Sequence, residues 1–308
     1  MTEAAFDFIA YQGKKKQPVV VDIPNLQGAP LIETHAHLDM LENPASALAR
    51  AAYVGITDVL TLTNLSRAEQ TFEMLDVWRE GAQLLIGAHC AIDAADEAST
   101  PSATQLPNIH VMAGVHPHDA RNYDKRIEKQ LTKLAGNSRI VAIGEAGLDY
   151  YYDHSPRDVQ RKVFIRNLEL ANELDLPIIV HLRDAHDDGL RILSEVGVPK
   201  AGAVLHCYNR EPNIAEPFLK MGCTLGFGGP VTFKSAHEVK EAAAAAPTGS
   251  IVVETDCPFM APTPFRGQKC EPAHTLWVAD EIAKLRNMTL PEFAQETTDT
   301  AKRIFKLP

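Results

Sequence analysis

The 308-residue sequence has no apolar run as long as a transmembrane helix, no cysteine pair at C-x-x-C spacing and no excess of basic residues. The first absence leaves no candidate for a helical membrane span. The five cysteines (Cys90, Cys207, Cys223, Cys257 and Cys270) are scattered and odd in number. That argues against a disulfide framework and for a reducing compartment, so the expected location is the cytoplasm. Lys14-Lys15-Lys16 has no apolar stretch behind it long enough for a signal peptide. With 30 Lys and Arg against 40 Asp and Glu, the formal net charge is −10. A broad cationic footprint for duplex nucleic acid is therefore excluded, although a local basic rim around a site is not. A glycine-rich nucleotide turn is also missing after the first strand-like run, which disfavours a doubly wound dinucleotide fold.

What is present is a strand–helix alternation. Apolar runs occur at residues 31–34, 56–63, 109–115, 140–144, 177–180, 201–205, 223–227 and 251–253. Most are continuously apolar rather than alternating, as in parallel strands buried on both faces. Amphipathic stretches of helical length separate them. The clearest, at 155–174, places Ser155 as an N-cap and Pro156 at the first helical position. Eight such units predict a (β/α)8 TIM barrel over residues 30–308, preceded by an N-terminal extension at 1–29. Within the extension, Val19-Val20-Val21 reads as a short strand that adds to a sheet or caps the barrel floor. Residues 88–107 read as a small-residue surface insertion, and residues 241–246 as an alanine-rich helix end stopped by Pro247.

The chemistry is concentrated where these runs end. His35 and His37 close the first, two residues apart and so on one face of a strand. His116 follows the third, Glu145 the fourth, His181 the fifth, His206 the sixth and Asp256 the eighth. Each alone has an ordinary explanation as a loop, turn or core residue. Together they put ligand-type side chains after six of eight buried strands, on the face where such barrels carry their active sites. Four strand-end histidines and two carboxylates, with His116 beside them, exceed the needs of one tetrahedral ion and suit a two-metal site bridged by a carboxylate. A hydroxide bound there would be the nucleophile, and Asp256 is placed to be both a ligand and the base that orients it. Histidine-rich ligation suits Zn, Mn, Ni or Fe better than Mg.

The motifs ETHAHLD at 33–39, GVHPH at 114–118, GEAGLDYY at 144–151, VHLRDA at 180–185, LHCY at 205–208 and VETDCP at 253–258 resemble the TatD family of metal-dependent hydrolases, in order and over essentially all of residues 31–308. That family is a branch of the amidohydrolase superfamily of (β/α)8 barrels, with many magnesium- or zinc-dependent deoxyribonucleases. The resemblance implies that His35, His37, Glu145 and Asp256 hold one ion, and that Glu145, His181 and His206 hold the other. It also implies that His116 lies near a substrate phosphate, that Arg183 matches the family arginine after the fifth-strand histidine, and that residues 261–267 match the loop after the aspartate. Cys270, the segment from Cys207 to Arg210, the extension and the 88–107 insertion depart from the family pattern around the expected mouth.

The expectation is thus a two-metal hydrolase of ester bonds, foremost a 3′–5′ exonuclease acting on nucleic-acid ends, with Asp256, Glu145 and His116 as catalytic residues. His116, Arg183, Lys234 and Arg266 are the candidate phosphate contacts. The competing reading keeps the same site but gives it a small ester, lactone or amide, or an aminoacyl-tRNA, as substrate; the acidic net charge favours it modestly. A purely structural metal site fits poorly, since such sites are closed and usually cysteine-rich.

Overall fold

In the computed structural model, which describes residues 6–12, 16–65, 68–93 and 105–308, all eight apolar runs form strands of one parallel sheet. A hairpin comes first, β1 (Ile9–Gln12) and β2 (Gln17–Val20). The barrel strands follow as β3 (Leu31–Ala36), β4 (Ile56–Asn64), β5 (Asn108–Gly114), β6 (Ile140–Asp149), β7 (Ile178–Arg183), β8 (Ala203–Leu205), β9 (Thr224–Phe227) and β10 (Ile251–Val253). Each pairs with its sequence neighbour, giving the order β10-β9-β8-β7-β6-β5-β4-β3. Sheet ends meet at a seam between β3 and β10. A parallel bridge links Ala36 to Cys257 there, the Asp256 amide donates to the His35 carbonyl at 2.9 Å, and the His37 amide donates to the Cys257 carbonyl at 3.0 Å. This is a (β/α)8 barrel.

Helices α1 (Pro44–Tyr53), α2 (Ala68–Asp93), α3 (Lys125–Ala135), α4 (Arg157–Glu173), α5 (His186–Val196), α6 (Pro212–Lys220), α7 (His237–Ala245), α8 (Thr275–Leu285) and α9 (Leu290–Phe305) surround the sheet. Their apolar faces pack on the strands in one large core. A second, smaller core fills the barrel itself: Ile32, Leu60, Met112, Ala142, Ile179, Val204 and Val252 point inward. Ile304 and Phe305 of α9 plug it from below, where Thr298 donates to the Pro30 carbonyl and Thr297 to the Ile251 carbonyl. The floor is solid, so chemistry is confined to the opposite mouth. No helix among the described residues is long and apolar enough to cross a membrane.

Several local expectations need correction. Ser155 does not cap α4: Pro156 holds the N-cap position without a side-chain bond. The Ser155 hydroxyl is buried and used elsewhere, donating to the His118 carbonyl at 2.7 Å and accepting from the Arg121 amide at 3.1 Å. Residues 88–93 continue α2 instead of opening an insertion; of the rest of that expected excursion, 94–104 lies outside the described residues and 105–107 is irregular chain leading into β5. The valines of the extension pair antiparallel with β1 and do not join the barrel sheet. Phe6 stacks on His89 and Phe8 packs against Trp277, which fastens the extension to the helical shell.

His274 lies in that shell, stacked on Phe265 with ring centroids 4.2 Å apart. Burial pushes its imidazole down to about 4, Glu271 and Arg50 acting in opposite directions on it. The unfolded chain, with an ordinary value of 6.5, therefore takes up a proton between pH 6.5 and 4 that the folded state refuses, and stability falls as pH falls through that window. His186, brought down to about 4 by burial and by Arg210, acts in the same sense. Urea unfolding of His274→Phe should lose about 2 kcal/mol less than wild type between pH 7 and pH 5; parallel losses in the two proteins would contradict this.

Candidate metal centre

β3 delivers His35 and His37 to the seam, and the turn after β10 delivers Asp256 to the same point. His37 Nε2 lies 3.2 Å and His35 Nε2 3.8 Å from Asp256 Oδ1. Glu145 rises from β6 into the middle. Its Oε2 faces His35 Nε2 at 3.7 Å, while its Oε1 faces His181 Nδ1 at 2.5 Å, His206 Nε2 at 3.0 Å and His116 Nε2 at 3.5 Å. The carboxylate thus stands between two histidine sets, one oxygen toward each. The rings of His35 and His206 stack across it with centroids 3.9 Å apart.

β6 reaches Glu145 and continues five residues beyond its expected end because glycines let it approach β7. A Cβ on Gly147 would lie 2.0 Å from the His181 carbonyl oxygen, and its φ of +151° suits glycine. That continuation brings Asp149, four residues past Glu145 and on the same strand face, under the site. Asp149 Oδ2 contacts His118 Nε2 at 2.8 Å and His181 Nε2 at 3.3 Å; Oδ1 accepts from the amides of Tyr151 and Tyr152 at 3.1 and 2.8 Å. Glu254, two residues before Asp256, lies fully buried with Oε1 3.3 Å from His206 Nδ1 and accepts from the Cys207 amide at 2.5 Å. Sequence reasoning assigned roles to neither: Asp149 lies five residues past the expected end of its strand, and Glu254 and Asp256 follow β10 in a turn where strand alternation no longer applies.

The electrostatics suit a cation. Burial alone would protonate Glu145, but His206 and His116 hold it well below the usual carboxylate range. Asp256 is likewise kept low, against burial, by His37 and His206. Burial, helped by the His206 charge, pushes His35 down and keeps it neutral. Both ring nitrogens of His35 are buried without a hydrogen-bond partner, an arrangement that costs about 1–3 kcal/mol per unmet group and that a metal ion would relieve. Against burial, the carboxylates raise His37, His181 and His206, so a bound ion would compete with protons for these imidazoles. Donor atoms of His35, His37 and Glu145, of His116, Glu145 and His181, and of His35, His206 and Glu254 each gather within 4.8 Å. The residue set fits divalent metal.

A cavity of about 1040 Å³ opens over this centre, lined by His37, His116, Glu145, His181, His206 and Asp256, and by Asp149, His118, Tyr152, Arg183, Phe259 and Met260. Of the four expected phosphate contacts, His116 and Arg183 line it. Lys234 and Arg266 do not: both are exposed, and the Arg266 guanidinium lies over the Phe233 ring, 4.2 Å from its centroid. Cys270, expected near the mouth, is buried and also outside the lining.

A family model described as TatD related DNase matches residues 32–306. The chain belongs to the TatD family. The uncharacterized metal-dependent hydrolase YabD of Bacillus subtilis is 43% identical to it over 199 residues, 65% of this chain and 78% of YabD. The human 3′-5′ RNA nuclease TATDN2 is 34% identical over 200 residues, 63% of this chain but 26% of that longer protein. The crystal structure of YjjV, a TatD homologue from Escherichia coli, shares the fold with a TM-score of 0.73 at 24% identity, covering 90% of this chain and 98% of YjjV.

Asp149 offers a test of the centre in this TatD-family chain. In Asp149→Asn, the amide oxygen stays with the Tyr151 and Tyr152 amides and the NH2 faces His181 Nε2. Two donors cannot face each other, so the His181 proton must sit on Nδ1, the atom turned toward Glu145. Mn2+ affinity measured by calorimetry should fall roughly 10- to 100-fold while the urea midpoint stays near wild type. Unchanged affinity would remove Asp149 from the support of the centre.

Proposed function

We propose that this protein is a metal-dependent hydrolase of phosphodiester bonds, removing nucleotides from the 3′ ends of nucleic acids in a reducing, cytoplasmic compartment. The observation that carries the reading is Glu145, whose two oxygens face separate histidine sets at the floor of an open cavity. His35, His37, Glu145 and Asp256 would hold one divalent ion and Glu145, His181 and His206 the other; such ions supply Lewis acidity and lower the pKa of a water to about 7. Zn, Mn, Ni and Mg are the candidates, histidine donors favouring the first three.

The chain's own residues supply the rest. Asp256, ionised beside His35 and His37, orients the attacking water and takes its proton. His116, with Nε2 3.5 Å from Glu145 and its ring open to the cavity, contacts a non-bridging phosphate oxygen. Arg183, at the cavity edge on β7, neutralises the charge of that phosphate. Membership of the TatD family supports this reading, as does a relative named for 3′-5′ RNA cleavage.

End-labelled single-stranded DNA and RNA, incubated with the Mn2+- or Mg2+-loaded protein, should shorten progressively from the 3′ end. Asp256→Asn should stay folded and lose at least about 100-fold in turnover, the usual contribution of a positioned base. Substrate affinity should drop steeply with salt if successive phosphates are contacted. No shortening by metal-loaded wild type, together with turnover of a neutral carboxylic ester, would replace this reading with the small-ester one.

A further inference from the structure

The mouth of the cavity exposes more aromatic surface than the binding of a bare phosphodiester requires. Tyr151 and Tyr152 are 60% and 50% exposed, Phe259 and Met260 47% and 38%. Three of these four line the cavity. They form two ledges.

The first ledge follows β6. Asp149 ties down the backbone amides of both tyrosines, and their rings meet edge to face at 4.9 Å. The Arg183 guanidinium sits 4.3 Å from the centroid of Tyr151 and 4.7 Å from that of Tyr152, and the Tyr152 ring lies parallel to His154. These contacts fix the ledge before any ligand arrives. The second ledge follows β10. The Phe259 amide donates to the Asp256 carbonyl at 3.0 Å, and the Phe259 ring stands 6.3 Å from that of His37.

Strand order sets the two ledges apart. In a ring running from β3 to β10, the β6–β7 pair lies directly across from the β3–β10 seam. Tyr152 with Arg183 and Phe259 with Met260 therefore flank the metal centre from opposite sides. Each joins it by one short link, Asp149 to His181 on one side and His37 on the other. A ligand that carries one planar ring on each side of a single anionic linkage is a dinucleotide step. Stacking on an aromatic side chain strengthens binding roughly 5- to 150-fold per base and tolerates any sequence, and a guanidinium in the stack adds a cation–π contact.

We infer that the ledges are two base-stacking subsites, one for each nucleobase flanking the scissile phosphodiester. The two bases splay apart across the mouth, one onto Tyr152 and Arg183, the other onto Phe259 and Met260. Bases still paired in a duplex cannot reach either ledge. This inference rests on the nuclease reading above and adds where the bases go.

The test uses the full-length, Mn2+-loaded protein and single-stranded oligonucleotides, unmodified or abasic at the terminal or the penultimate nucleotide. Each abasic site should raise KM for wild type roughly 5- to 150-fold, as should Tyr152→Leu and Phe259→Leu on the unmodified strand. Each variant should be indifferent to the abasic site at one of the two positions, and the two variants should differ in which. Mn2+ affinity should stay at the wild-type value in both. Wild type that cleaves abasic and unmodified strands with equal KM would overturn the subsites and leave the nuclease reading standing, as would variants that lose equally on every substrate. Wild type that cleaves none of the strands would overturn both.

Discussion

The structure depends on the closure of its barrel at one seam. His37 and Asp256 are 219 residues apart in the chain, and only the meeting of β3 with β10 brings them within bonding range. The closing hydrogen bonds run through the ligands' own backbone, from the Asp256 amide to the His35 carbonyl and from the His37 amide to the Cys257 carbonyl. Beneath them Glu33 staples the seam. Its carboxyl accepts from the His35 amide at 2.8 Å, from the Thr255 amide at 3.1 Å and from the Thr275 hydroxyl. Burial pushes that carboxyl up to about 8, against the three donors that favour its ionised form. Folding the last strand and assembling half of the metal centre are one event.

Around that seam the buried polar groups form two tiers. Glu145 and Asp256 face the imidazoles from within; Asp149 and Glu254 face them from behind, at His181 and His206. A buried network of this kind stabilises only when every member is satisfied, and among the described residues His35 lacks a hydrogen-bond partner on both nitrogens and His206 on Nδ1. Glu145, Asp149 and Asp256 are held low in spite of burial because imidazoles surround them. His37, His181 and His206 are raised because carboxylates surround them, while burial takes His35 down. A divalent ion held by these residues would relieve that mutual dependence by competing with the protons. The rear tier then matters for a separate reason, since it decides which nitrogen of each imidazole remains free to coordinate.

Much of this was legible in the sequence, and the parts that were not share a cause. Parallel strands buried on both faces leave uninterrupted apolar runs, so the eight strands and the residues at their ends could be read directly. The extension of β6 to Asp149 could not, because it depends on Gly147 passing within contact of the His181 backbone, a relation between two strands. Ser155 carried a helix-capping pattern, yet its hydroxyl serves the His118 and Arg121 backbone because tertiary packing buried it. Residues 88–93 looked like the start of a loop and continue a helix. Arg266 and Lys234 illustrate the same boundary for function: sequence identifies a charge near the mouth but not whether its loop turns it inward, and Arg266 is turned onto Phe233.

On the proposed nuclease reading, the same architecture constrains how a substrate would enter. The barrel interior is filled from Ile32 to Val252 and plugged by Ile304 and Phe305, so whatever enters the cavity must leave by the same mouth. With a net charge of −10, the molecule as a whole repels a polyanion, and along the cavity lining Arg183 and the histidines stand among the carboxylates of Asp39, Asp119, Glu145, Asp149 and Asp256. A long strand laid across the outer surface would gain little and meet like charge along much of its length. A chain end placed in the mouth would reach Arg183 and keep most of its phosphates in solvent. Under the nuclease reading proposed above, a blind cavity combined with an acidic net charge would favour engagement of ends over engagement of interior segments.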